Sequence, residues 1–135
     1  MQSKVIVITG SSSGVGLTLA NYFHSLGHQV YGLSRTKKGQ EKFQHIATDV
    51  SDKENVHQSF QHILNETNQR IDVLINNAGI GMLGAVEDAK KDDIEKLLNV
   101  NVYGSLYTMQ EVLPIMRAQK QGHILNVSSI ASNSG

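Results

Sequence analysis

Residues 5–16 read VIVITGSSSGVG, and this stretch decides the fold. Its first five residues, Val5 to Thr9, are apolar or β-branched, which predicts a strand buried on both faces of a parallel sheet. Three glycines follow among serines, at Gly10, Gly14 and Gly16. From Val15 onward the apolar residues recur at helical spacing. A strand, a glycine-rich turn and a helix can bind a phosphate, because glycines admit the anion to the backbone and helix amides point at it. An ordinary tight turn is the alternative.

Strands and helices alternate along the rest of the chain. Further strands are expected at Gln29–Leu33, Phe43–Thr48, Ile71–Ile75 and His123–Val127. The first helix is expected to carry one apolar face, made of Val15, Leu19, Phe23 and Leu26. Ser51 or Asp52 can cap a second helix, and a long third one runs from about Asp92 to Met116, where Pro114 should end or kink it. This alternation predicts an α/β fold with a doubly wound parallel sheet, the Rossmann fold, while the link between the second and third strands is too short for a helix.

Polar and glycine residues follow every predicted strand. These clusters are Thr9–Gly10, Ser34–Arg35, Asp49, Asn76–Asn77 and Ser128–Ser129. In a doubly wound sheet the ligand lies beyond the carboxyl ends of the strands, so all five clusters should converge on one rim. This convergence favours a nucleotide site over an ordinary turn.

The length and composition of the chain argue against several other classes of protein. The chain has 135 residues, which fits one domain covering residues 1–135, and its formal net charge is zero. Basic residues form no run longer than the pairs Lys37–Lys38 and Lys90–Lys91, so no nucleic-acid partner is expected. No apolar run approaches the ~20 residues that cross a bilayer, there is no cysteine, and the first strand begins close to Met1. We therefore expect a cytoplasmic chain with no membrane contact.

His24 and His28 have the spacing of a metal pair, but Gly27 between them should end the helix, so no metal site is expected.

Six segments together resemble the short-chain dehydrogenase/reductase family, in the family's order and spacing. They are TGSSSGVG at 9–16, Asp49–Val50, NNAG at 76–79, NVNVYG at 99–104, LPIM at 113–116 and GHILNVSS at 122–129. The resemblance covers nearly the whole chain. It implies a nicotinamide cofactor, and hydride transfer to or from a small-molecule alcohol or carbonyl substrate.

The resemblance also implies roles for individual residues. The cofactor contacts would be Gly10, Ser12, Ser13, Gly14, Val15, Gly16, Ser34, Arg35, Asp49, Val50, Asn77, Ala78 and Gly79. Ser129 would be catalytic and hold the substrate oxygen, and Asn101 would hold a water in a proton relay. By the residues alone, Ser129 is better interpreted as a strand-end hydroxyl bonded to local backbone. Asp49 would accept a hydrogen bond from adenine, or else cap the following helix.

Arg35 bears on the choice of cofactor. An NAD site usually carries an acidic residue about 20 residues after the glycine turn, where it binds the ribose 2′-hydroxyl. Here that position is Ser34, and Arg35 follows it. A guanidinium binds phosphate through two hydrogen bonds, so the sequence predicts NADP, with NAD as the less favoured cofactor. A solvated loop charge is the alternative.

The chain departs from the family pattern at its C-terminal side. The family's catalytic Tyr and Lys form a YxxxK motif about a dozen residues after the serine, and no YxxxK occurs in these 135 residues. We expect the amino-terminal part of a reductase, incomplete after the fifth strand and inactive by itself. The alternative is a non-catalytic dinucleotide-binding module.

A homo-oligomer is also expected. The family forms a dimer interface with the long helix, and without a sixth strand the fifth would expose an apolar edge that invites pairing.

Overall fold

The computed structural model describes residues 2–12, 14–77 and 86–127. Its strands are β1 (Val5–Thr9), β2 (Gln29–Ser34), β3 (Gln44–Ala47), β4 (Val73–Asn76) and β5 (His123–Asn126). Its α-helices are α1 (Gly14–Ser25), α2 (Lys53–Glu66), α3 (Lys91–Leu98) and α4 (Gly104–Gln119). A short 3₁₀ helix covers Val86–Asp88, and a π-helical turn at Asn99–Tyr103 joins α3 to α4.

All five strands pair in parallel, in the order β3-β2-β1-β4-β5. The central strand is buried along its whole length, and its alternate residues serve two separate cores. Val5 and Val7 belong to the core that includes residues of α2 and α4, whereas Ile6 and Ile8 belong to the core under α1. Helices therefore cover both faces of the sheet, and the predicted doubly wound fold is confirmed.

The buried face of α1 differs from the expected one. Gly16 and Ala20 are its buried residues, while Val15 is 57% exposed and Leu26 is 44% exposed. Small residues allow the helix to approach the sheet closely, and this close approach sets the rotation of the helix. Leu19 and Phe23 of the expected face do pack against the core under α1, so the apolar spacing was correct for these two residues and wrong for Val15 and Leu26.

The long third helix does not end at Pro114. Helix α4 continues to Gln119 and stops at Lys120, which adopts a left-handed conformation with φ of 59°. Val112 and Met116 on either side of the proline are buried, and Pro114 itself is exposed. Proline removes one backbone donor there, but the flanking burial holds the helix together.

Two local expectations are settled by the structure. Asp52 caps α2, since its carboxylate accepts hydrogen bonds from the backbone N–H groups of Glu54 (3.0 Å) and Asn55 (3.2 Å). The alternative of Asp49 as the cap is wrong. Residues 35–43, which join β2 to β3, contain no helix, as their length predicted.

Strand β5 lies at one edge of the sheet that the structure describes, and Leu125 on it is 54% exposed. Within residues 2–12, 14–77 and 86–127, no helix has the length and apolar character needed to cross a membrane. The same residues contain no group of three or more histidine or acidic side chains placed to hold a metal ion.

Candidate functional site

The glycine turn after β1 is closely packed against the first turn of α1. Gly10 and Gly14 have positive φ values of 64° and 58°, which L-residues with a side chain rarely adopt. A Cβ at Gly16 would overlap the carbonyl oxygen of Gly10 and lie 2.5 Å from the Nδ2 of Asn77. The glycine turn and the first turn of α1 together form a cradle at the positive end of a helix, packed too tightly to admit a methyl group at Gly16.

The end of β4 is fastened to this cradle by Asn77. Its backbone N–H donates to the Thr9 hydroxyl oxygen (2.9 Å), and its side-chain amide donates to the Gly10 carbonyl (3.2 Å). Ser12 lies half-buried in the turn. Three strand ends, those of β1, β2 and β4, meet here, because the Gly10 N–H also donates to the carbonyl of Leu33 (2.8 Å).

Arg35 and Asp49 face each other across the ends of β2 and β3. The Arg35 Nε lies 4.0 Å from the Asp49 Oδ1, and both side chains are open to solvent, at 57% and 42% exposed. The hydrogen bond from the Ser51 hydroxyl to Asp49, with a smaller contribution from the Arg35 charge, holds the pKa of Asp49 below its usual value. The site therefore presents an exposed guanidinium beside an ionised carboxylate.

Val50 belongs to the core. Its side chain is buried and packs under Gly104, where a Cβ would lie 2.9 Å from the Val50 Cγ2. This contact brings the start of α4 against the segment that follows β3. A ligand could reach Val50 only through its backbone.

Asn101 lies at the centre of the π-helical turn that interrupts the long helix. Its side chain is half-buried, and its carbonyl accepts a hydrogen bond from the Ser105 hydroxyl (3.1 Å). Single π-turns inside α-helices recur at functional sites. The apolar spacing predicted a continuous helix here and gave no sign of the π-turn.

Several predicted site residues lie outside the described residues: Ser13, Ala78, Gly79 and Ser129. The others fall on the rim, at or just after the carboxyl ends of β1, β2, β3 and β4, except Asn101 in the π-turn. The rim predicted from the sequence is thus present for four of its five clusters.

A chain of polar side chains that the sequence did not indicate runs beneath the rim, from buried Thr108 through Asn76 to exposed Asn126. The Thr108 hydroxyl donates to the Asn76 Oδ1 (2.6 Å), and the Asn76 side-chain amide donates to the Asn126 Oδ1 (2.9 Å). Thr108 is fully buried, so this chain ties α4 to the ends of β4 and β5. His45, which contacts Ser34, was also missed, because its place depends on the pairing of β2 with β3, which no local pattern reveals.

Comparisons of the sequence and of the structure with known proteins point to the same family. A family model described as short chain dehydrogenase matches residues 4–135. The 3-ketodihydrosphingosine reductase of Bacteroides thetaiotaomicron is 40% identical over 136 residues, which cover 100% of this chain and 50% of that protein. The chain thus spans about half the length of this curated relative.

Solved structures agree with the sequence matches. The ligand-free aldohexose dehydrogenase of Thermoplasma acidophilum superimposes with a TM-score of 0.88 at 34% identity, covering 95% of this chain and 50% of that one. The structure of ElxO with NADP bound gives 0.84 at 30% identity over 96% of this chain and 56% of its own. A short chain dehydrogenase from Leptospira borgpetersenii with bound NAD+ gives 0.86 at 27% identity, over 96% and 52%. The parallel sheet, the glycine cradle and these matches together show that this chain belongs to the short-chain dehydrogenase family.

Proposed function

We propose that this chain binds NADP(H) in preference to NAD(H) and serves a reductase that acts on an alcohol or carbonyl substrate. The observation that carries the proposal is the cradle at Gly16, which no side chain could share. The family is one of NAD(P)-dependent oxidoreductases. Its members in solved structures include complexes with NADP and with NAD+, so the preference must come from this chain's own residues.

The cradle suits a dinucleotide phosphate. No atom lies within 4 Å of the position that a Cβ would take at Gly14, so the backbone is open there, and the first amides of α1 have no partner within their helix. Ser12 adds a hydroxyl, and the exposed Val15 adds an apolar surface at the first turn of α1. Asn77 lies beside the turn, and the family resemblance implies that Asn77, Ala78 and Gly79 also contact the cofactor. When bound, the cofactor supplies or accepts the hydride, and these residues hold it in place.

The preference for NADP rests on the residues that follow β2. Arg35 exposes its guanidinium, and its 4.0 Å contact with Asp49 leaves donors free for another anion. Residues 35–42 carry four basic side chains and one acidic one, which favours a phosphate group there. Ser34, where an NAD site would place an acid, is buried and bonded within the protein.

The proposed catalytic residues are Asn101 and Ser129. Ser129 would donate a hydrogen bond to the substrate oxygen, and Asn101 would hold a water for proton transfer. No YxxxK motif occurs in these 135 residues, so we expect no carbonyl reduction from them alone. The name of the Bacteroides relative, a ketone reductase, supports a carbonyl substrate.

We also propose that the chain forms a homo-oligomer through the long helix. Its exposed apolar residues include Leu98, Val102, Tyr103, Leu106 and Leu113. Tyr103 stacks on Tyr107 with ring centroids 6.2 Å apart, which extends this surface. A surface of this kind favours contact with a second copy.

Titration with NADPH and NADH tests the cofactor proposal. A charge-assisted hydrogen bond contributes about 1.5–3 kcal/mol, so NADPH should bind about 10- to 150-fold more tightly. Arg35→Asp should reverse the preference, whereas Arg117→Asp, an equal charge change on exposed α4 surface, should leave it intact. Equal or tighter binding of NADH by the unchanged chain would refute the NADP proposal, and binding of neither would refute the dinucleotide site.

A further inference from the structure

His45 on β3 holds the residue that precedes Arg35. The His45 Nε2 lies 2.8 Å from the Ser34 hydroxyl oxygen and 3.2 Å from the Ser34 carbonyl oxygen. A carbonyl oxygen can only accept, so the hydrogen-bond network assigns the proton to Nε2. The Ser34 hydroxyl then accepts from His45 and donates its own proton to the carbonyl of Thr36 (3.0 Å).

These bonds fix the backbone on both sides of Arg35. The Ser34 carbonyl also accepts from the Thr48 N–H (2.9 Å), so the last residue of β2 is held by β3 and by the segment after it. The Ser34–Thr36 bond closes a short turn with Arg35 inside it. The guanidinium therefore projects from a backbone that cannot rotate freely.

Hydrogen bonds also hold the rest of the connection between β2 and β3 in place. The Glu41 carboxylate accepts from the Lys38 N–H (2.8 Å). The side-chain amide of Asn21 on α1 donates to the Gln40 carbonyl (3.3 Å), and its oxygen accepts from the Lys42 N–H (3.0 Å). The basic segment is thus held against α1 and β3, and His45 supplies the contact nearest to Arg35.

We propose that His45 is a positioning residue for cofactor specificity, which acts through Ser34 to preorganise Arg35 for a ribose 2′-phosphate. The inference rests on the proposed preference for NADP(H). A guanidinium on a fixed backbone loses less conformational freedom when it binds than one on a mobile loop. His45 would therefore raise the affinity for NADPH and leave the affinity for NADH unchanged, because only NADPH carries the 2′-phosphate.

Dissociation constants for NADPH and NADH, measured on the unchanged chain and on variants, test this inference. His45→Leu removes the donor, and it should weaken NADPH binding about fivefold, as for one hydrogen bond, with NADH binding unchanged. His45→Gln keeps an N–H donor at a similar reach and should retain the preference for NADPH. Ser34→Ala should lose the same preference, and the double variant should lose no more than either single one, because the two residues act as one unit.

Each outcome decides a separate point. Suppose that the unchanged chain prefers NADPH and that His45→Leu keeps this full preference. The proposed role of His45 is then overturned, and the proposed function still stands. Equal loss of NADPH and NADH affinity would assign His45 a merely structural role and also overturn the inference. If His45→Leu does not fold, Ser34→Ala decides the question, since retention of the preference in that variant contradicts action through the Ser34 hydroxyl, which lies 2.8 Å from the His45 Nε2. If the unchanged chain binds NADPH and NADH equally well, the proposed NADP specificity is refuted, and the inference about His45 is refuted with it.

Discussion

Replacing Gly16 with alanine tests the cradle. The added methyl group would overlap the Gly10 carbonyl oxygen and lie 2.5 Å from the Asn77 Nδ2. To restore ordinary contact, the start of α1 must move away from the turn by about 1 Å, which a close-packed interior resists. Overpacking of this kind costs about 1–3 kcal/mol, and the better helix propensity of alanine returns less than about 1 kcal/mol.

We expect Gly16→Ala to lower the free energy of unfolding by about 2 kcal/mol, which corresponds to about 7 °C in melting temperature for a chain of this size. The shift should also weaken NADPH binding about tenfold or more, because the turn and the helix amides no longer act together. Thermal unfolding and a cofactor titration measure the two effects.

Gly27→Ala is the matched control at the other end of α1. Gly27 has a φ of 91° and open space around it, so alanine there suffers only backbone strain of about 1–2 kcal/mol. It should lose stability to a similar extent and bind NADPH normally. If Gly16→Ala bound NADPH as tightly as the unchanged chain, the cradle would not be the phosphate site.

Three further substitutions, at Ser11, Ser59 and Asp49, test hydrogen bonding and electrostatics. The hydroxyl of Ser11 is buried and has no hydrogen-bond partner among the described residues, so Ser11→Ala should leave stability unchanged or raise it by about 1 kcal/mol in urea unfolding. Ser59→Ala, which breaks the 2.7 Å bond to the Thr48 hydroxyl, should cost about 1 kcal/mol, and an equal loss in both variants would contradict the assignment. Because the pKa of Asp49 is lowered in the folded chain, its carboxylate stabilises the fold above the usual pKa of 3.8, and this contribution disappears as the pH falls through the lowered value. In urea unfolding, the free energy of unfolding of the unchanged chain should exceed that of Asp49→Asn by an amount that shrinks as the pH falls from about 5 to about 2. A difference that stays constant over this range would refute the stabilising role of the ionised carboxylate.

The parts of the fold that were predictable from sequence are those with strong local signals. The run Val5–Thr9 has no charge and ends at a glycine turn, so its burial on both faces follows from the local sequence. The alternation of strands and helices then limits the topology to very few arrangements. Four of the five polar clusters lie on one rim for the same reason, since parallel strands end at the same edge.

The features that were missed depend on contacts between distant segments. The inner face of α1 is set by Gly16 and Ala20, whose small size, rather than their hydrophobicity, lets the helix approach the sheet. The helix passes Pro114 because Val112 and Met116 are buried against the rest of the molecule. Thr108 and Asn126 meet Asn76 only once α4 and β5 have packed beside β4.

A crystal structure of the chain grown with NADP would show where the dinucleotide binds. We predict the pyrophosphate at the first turn of α1, against Gly14 and Gly16, and the 2′-phosphate within hydrogen-bond distance of the Arg35 guanidinium. A dinucleotide bound on another surface would contradict the assignment of the cradle. A 2′-phosphate in the cradle complex that pointed away from Arg35 would contradict the assignment of cofactor preference.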